Sequence, residues 1–220
     1  MRRQQKPRTP VHKLIIFTFA LAAVYGGYYW GNQHQPKISN YSLIRLLPAP
    51  RTLQSLDLTD QFGDPFTDQR LIGHWNLIVF GLSQSRSESA DILTLCTRIL
   101  NRLAEQPELQ QMTQVIFVTV DPERDKPAVL KDLMAHYSKD FLGVGGRIGQ
   151  VEHLARQVGA RFQRRAGENE TEYRVDHSTS IALVDPQARL IGLFTGMVDA
   201  VNIASDLKQI ANNYSDHDSP

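Results

Sequence analysis

Apolar positions along the chain fall into distinct patterns, and each predicts an element. The run LIGHWNLIVFGLS at 71–83 is rich in branched and aromatic residues and closes on a glycine, which predicts a buried strand over 76–80. A polar loop, SQSRSES, follows. Ile92, Leu95, Cys96, Ile99, Leu100 and Leu103 then recur at i, i+3, i+4, i+7, i+8 and i+11, predicting an amphipathic helix over 90–103. VIFVTVD at 115–121 predicts a second buried strand. In the stretch after it, Asp125 can cap and Lys126-Pro127 can open a helix running to Tyr137. A glycine-rich turn is expected at 143–149, a helix at 150–158 and a charged loop at 161–172. SIALVDPQARLIGLF reads as two β runs around Asp185-Pro186-Gln187-Ala188, and a last helix is expected over 199–212.

This order, βαβα followed by a β-hairpin and a final helix, predicts an α/β thioredoxin-like domain, a mixed central sheet flanked by helices. The N-terminal part reads differently. Residues 14–30, LIIFTFALAAVYGGYYW, carry no charge over 17 positions and end in Tyr28, Tyr29 and Trp30. That length is at the lower end of the ~17–25 residues a membrane-spanning helix needs. The first 13 residues hold Arg2, Arg3, Lys6, Arg8 and Lys13 and no acid, so the expected orientation is tail inside, domain outside. The competing reading is a signal peptide cleaved at Ala20-Leu21-Ala22. Polar, proline-punctuated residues 31–52 read as a tether. The expected organisation is a basic cytoplasmic tail (1–13), a transmembrane anchor (14–30), the tether (31–52), the domain (53–212) and a flexible tail (213–220).

Composition narrows the chemistry. One cysteine in 220 residues excludes an intrachain disulfide, a CxxC redox pair and a multi-cysteine zinc site. The 207 residues after the basic tail hold 19 basic and 23 acidic groups, so no basic face for nucleic acid is expected. Cys96 lies on the apolar helix stripe and is expected in the core.

FGLSQSRSES at 80–89 resembles the loop FGF[ST]-x-C-P-x-x-C-P of the Sco/SenC family. Three further stretches resemble the same family: FVTVDPERDKPAVLKDLMAHY, the FLGVGG turn at 141–146, and YRVDHST at 173–179 with the hairpin that follows. The resemblance spans residues 53–212 and includes the N-terminal anchor. It implies a thioredoxin-like fold and a role in copper delivery to, or thiol reduction of, the copper site of a respiratory oxidase. The family's copper ligands are two cysteines and a histidine. Aligned on Phe80-Gly81, the cysteine positions carry Ser85 and Ser89, and the histidine falls on His177. Serine hydroxyls are hard, remain protonated at neutral pH and bind Cu(I) poorly.

The chain is therefore expected to have no thiol redox activity and no enzymatic function, and to keep His177 as a relic of the copper site. Its expected role is protein contact with an oxidase subunit or assembly factor, from the periplasmic face of a bacterial inner membrane. The expected contact surface is Arg86, Glu88, Asp121, Glu123, Arg124 and Asp176. The residues leave two other readings open: an altered copper site joining His177 to Cys96, Met134 or Met197, and a serine nucleophile served by His177 and Asp176.

Overall fold

The computed structural model describes residues 20–26, 43–84, 88–166, 173–177, 180–196 and 199–215, with backbone alone for 164–166, 173–177 and 215. The chain divides into two compact units, residues 1–40 and 41–220. In the first, residues 20–26 are helical and exposed. No helix among the described residues is long and apolar enough to cross a membrane. The expected tail 1–13 and most of the expected anchor 14–30 lie outside the described residues.

The second unit is built on an eight-stranded sheet of order β1-β10-β9-β4-β5-β6-β2-β3. Its strands are β1 (Ile44–Thr52), β2 (Leu58–Asp60), β3 (Pro65–Phe66), β4 (Trp75–Gly81), β5 (Thr113–Thr119), β6 (Leu142–Gly145), β9 (Ile181–Val184) and β10 (Arg189–Phe194). Strands β7 (Phe162–Ala166) and β8 (Tyr173–His177) form a separate antiparallel ribbon. The helices are α1 (Glu88–Arg102), α2 (Pro107–Met112), α3 (Pro127–Tyr137), α4 (Ile148–Val158) and α5 (Ala200–Ser215). Strands β4, β5 and β6 are mutually parallel, and β9 joins β4 antiparallel. This is the mixed α/β sheet expected from the element order.

Strand β4 is buried along its whole length because both faces of the sheet are covered. Leu77 and Val79 face the cluster built with α1, α3 and α5, while Ile78 and Phe80 face the one built with α4. The period-2 alternation of a strand thus feeds two cores from one apolar run.

Cys96 is fully buried in the first cluster. Burial pushes its thiol up to about 12, because the thiolate would have to exist in an apolar interior. A thiol with a raised folded-state pKa holds its full stabilising contribution below the unfolded value, near 9, and loses it as pH rises toward about 12. Urea midpoints measured at pH 8 and pH 10.5 are expected to fall less in Cys96→Val than in the parent. Equal falls would mean that the thiol ionises without opening the core.

Three expectations change. Residues 44–52, assigned to the tether, form β1 and pair with β10. Its prolines fit because β1 is an edge strand and its register shifts between Leu46 and Arg51, which spares the ladder around Pro48 and Pro50. The glycine-rich turn contains β6. A Cβ on Gly143 would stand 3.0 Å from both Leu130 Cβ and Met134 Cγ, so glycine there lets α3 sit close on the strand. The charged loop at 161–172 holds β7 and leads into β8. In addition, α5 continues to Ser215, past the expected start of the tail.

Candidate functional site

Parallel strands β4 and β5 end side by side, Gly81 opposite Thr119, and each releases a loop into the helix that follows. The candidate site is this pair of loops. Val120 N–H donates to the Gly81 carbonyl at 2.9 Å, so the two chains stay joined one step beyond the sheet.

The β4–α1 loop is closed at its base by Ser89. That side chain is 2% exposed, accepts from Leu82 N–H at 3.1 Å and donates back to the Leu82 carbonyl at 2.8 Å. One hydroxyl satisfies both polar groups of a buried peptide residue, groups that would otherwise be costly to leave unpaired. Gly81 makes room for this. A Cβ there would lie 2.7 Å from Ser89 Oγ and 2.6 Å from Phe117 Cε2.

The β5–α3 loop is held to the first by Asp125, a carboxylate 2% exposed. Its Oδ2 accepts from Ser83 N–H at 2.9 Å and from the Thr119 hydroxyl at 2.6 Å, and its Oδ1 accepts from the Ser83 hydroxyl. The Thr119 hydroxyl in turn accepts from Asp121 N–H at 3.0 Å. Asp121 is fully buried, with Oδ2 3.6 Å from Arg124 Nε. It presents no side chain at the surface, which corrects its place in the expected contact set. Arg124 also donates to Gln84 Oε1 at 3.5 Å, a second link between the loops. Glu88, in the first turn of α1, and Glu123 are exposed.

Ser85 and Arg86 lie outside the described residues, as does Met197, and for Asp176 and His177 the description stops at the backbone. Register places His177 opposite Phe162 and Asp176 opposite Gln163. The chain then reaches β9 within four residues, on the end of the sheet where β4 leaves, since β9 runs antiparallel to β4.

Among the described side chains, none of the candidates is set to bind Cu(I). Ser89 is a hard hydroxyl already spent on the backbone, and Cys96 and Met134 are packed in the core, 0% and 1% exposed. The two described loop hydroxyls donate to a carboxylate and a carbonyl, not to an imidazole, so neither is set up as a nucleophile. The sequence reading missed the Ser83–Thr119–Asp125 cluster as a unit. Asp125 read as a helix cap, although the cap of α3 is Lys126, and nothing local tied it to Ser83, 42 residues earlier.

The profile of the family described as SCO1/SenC matches residues 46–212. A Stutzerimonas stutzeri protein described as "Putative copper-binding protein" is 31% identical over 170 residues, 77% of this chain and 82% of that one. The mitochondrial SCO2 homolog of Danio rerio is 29% identical over 186 residues, 81% of this chain and 65% of that protein. Among solved structures, yeast Sco1 with copper bound aligns with a TM-score of 0.66 at 26% identity, covering 77% of this chain and 91% of that chain.

Proposed function

The chain belongs to the SCO1/SenC family, and from that premise we propose that it serves the biogenesis of the copper site of a respiratory oxidase through protein contact, without carrying Cu(I) on the family's ligand set. The observation that carries this reading is Ser89. It stands where the family has its second copper cysteine, and its hydroxyl is buried and committed in both directions to Leu82. A residue so engaged is a structural part of the loop.

The uncharged run at 14–30 and the five basic residues before it support a single anchor in a bacterial inner membrane with the domain in the periplasm. Cleavage near Ala22 would export the same domain unanchored. The partner is an oxidase subunit or assembly factor, met by the exposed loop residues Glu88 and Glu123 together with Arg86 and Arg124. The alternative, an altered copper site using His177, would need Met197 as its partner, or Cys96 or Met134 to leave the core. It gains nothing from a thiol whose pKa is pushed up to about 12, because the thiolate is the copper ligand.

The full-length chain, tagged at its C-terminus and purified from membranes of cells that make a copper oxidase, is expected to retain an oxidase subunit or a known assembly factor. Loss of that retention is expected in Arg124→Glu. Recovery of neither protein from membranes in which the oxidase is being assembled would overturn the contact role.

A further inference from the structure

We propose that a cleft at the start of β4 is a binding site for a small organic cation, an ammonium carried on an apolar body. The cleft has a volume of about 600 Å³, within the ~300–1,000 Å³ of small-molecule sites, and opens between α2 and the C-terminal end of α5. Trp75, the first residue of β4, lines it, so it lies at the other end of that strand from the candidate site, ~20 Å away. The proposal goes beyond the contact role and does not depend on it.

The apolar body follows from the walls. Trp75 and Leu109 are buried and make the deepest part of the cleft. Pro107 and Met112 of α2 face Pro186 of the β9–β10 turn across it. Tyr214 stands edge-to-face with Trp75, ring centroids 5.3 Å apart. A hydrocarbon placed here leaves water on several sides at once, which is the main drive for binding.

The charge follows from what the same walls hold. Glu108 is the only charged side chain among the described residues that line the cleft. Ala211, Asn212 and Tyr214 bring the C-terminal end of α5 to the wall, where the last carbonyls of a helix carry partial negative charge. Aromatic rings attract a cation through their faces. These three contributions share one sign, so they favour an ammonium and oppose a carboxylate. Gln106 and Gln187 also line the cleft, and their amide oxygens are of the kind that accepts from an ammonium. Two cations on neighbouring elements do not reverse the sign, because each is paired with its own carboxylate. Arg189, 3.5 Å from the Tyr214 hydroxyl, is held by Asp185 at 2.7 Å, and Lys208 on α5 is held by Glu105 at 2.7 Å.

Trp75 itself reports occupancy. It is one of two tryptophans, and Trp30→Phe leaves it alone in the chain. The full-length Trp30→Phe chain, held in phosphatidylcholine vesicles, is titrated with 3-phenylpropylammonium, 3-phenylpropanol and 3-phenylpropanoate, which vary the charge on one apolar body, and indole emission is read. The ammonium is expected to give a saturable change with a dissociation constant about fivefold or more below that of the alcohol, and the carboxylate no change. Glu108→Gln is expected to reduce that preference about threefold. Met112 is 42% exposed, so Met112→Lys keeps the fold while setting a cation in the cleft, and it is expected to abolish ammonium binding. No saturable change with the ammonium, equal constants for ammonium and alcohol, a preference unchanged in Glu108→Gln, or binding that Met112→Lys leaves intact would each overturn the site.

Discussion

Replacing both Ser85 and Ser89 by cysteine is expected to turn a chain with no saturable Cu(I) uptake into one that takes up a single ion. Thiolates are soft donors that suit Cu(I), and 85 and 89 are the positions at which the resemblance places the family's two copper cysteines. The strand end from which the loop leaves is fixed without them, since Ser83 is bonded to Asp125 and β4 pairs with β5. The exchange carries a cost at Ser89. A thiol is a weak donor and acceptor and cannot replace the paired bonds to Leu82 N–H and carbonyl, so the metal-free variant is expected to lose about 1–3 kcal/mol. Copper binds the folded form, so its addition is expected to raise the variant's melting temperature and leave the parent's unchanged. The measurement is competition with a chromogenic Cu(I) chelator under reducing conditions, with thermal melts beside it. Uptake by the double variant is expected to fall when His177→Ala is added. Tight stoichiometric binding by the parent, lost in His177→Ala, would show a copper site rebuilt on donors other than thiolates and would remove the main support for a contact role.

The parts legible in the sequence were those whose signal is local and periodic. β4 announced itself by an apolar run that the structure buries along the whole strand, and α1 by an apolar stripe that the structure buries at Ile92, Cys96 and Ile99. Strand β6 was hidden because its sequence is LGVG, and a glycine reads as a turn unless the helix pressing on it is known. Strand β1 was hidden by prolines, which an edge strand with a register shift accommodates. At the site, the serines at the cysteine positions are visible on alignment of Phe80-Gly81. The role of Ser89 is not. Whether a serine after a loop points to solvent or bonds to Leu82 depends on how closely its helix approaches Gly81, which sequence does not give. Asp121 and Asp125 sit four residues apart in one charged motif, yet both are buried, because the loop folds back under Thr119 instead of projecting.

The boundary read from sequence, with the domain starting at Leu53, leads to the second large effect: residues 53–220 alone are expected to be far less stable than residues 41–220. The shorter piece loses β1, and with it the pairing of Ile44–Leu46 and Arg51–Thr52 with β10, which leaves β10 an open edge. It also loses Ile44, 8% exposed and packed in the core cluster with Phe194 and the α5 residues Ile203 and Leu207. Burying such a side chain contributes ~1.5–3 kcal/mol. Asp206 on α5, 3% exposed, would lose two donors, since its Oδ2 accepts from Leu43 N–H at 2.9 Å and from Ile44 N–H at 3.1 Å. Bonds to a charged acceptor contribute ~1.5–3 kcal/mol each. Together these losses reach roughly 5–9 kcal/mol, against the ~5–15 kcal/mol that holds a whole domain folded. Urea unfolding of the two pieces is expected to give a single cooperative transition for 41–220 and, for 53–220, a much lower midpoint or none. A shared midpoint would mean that β1 lies on the sheet without supporting it. The ordering of Leu43 and Ile44 on α5 would then be a consequence of the fold and not one of its causes.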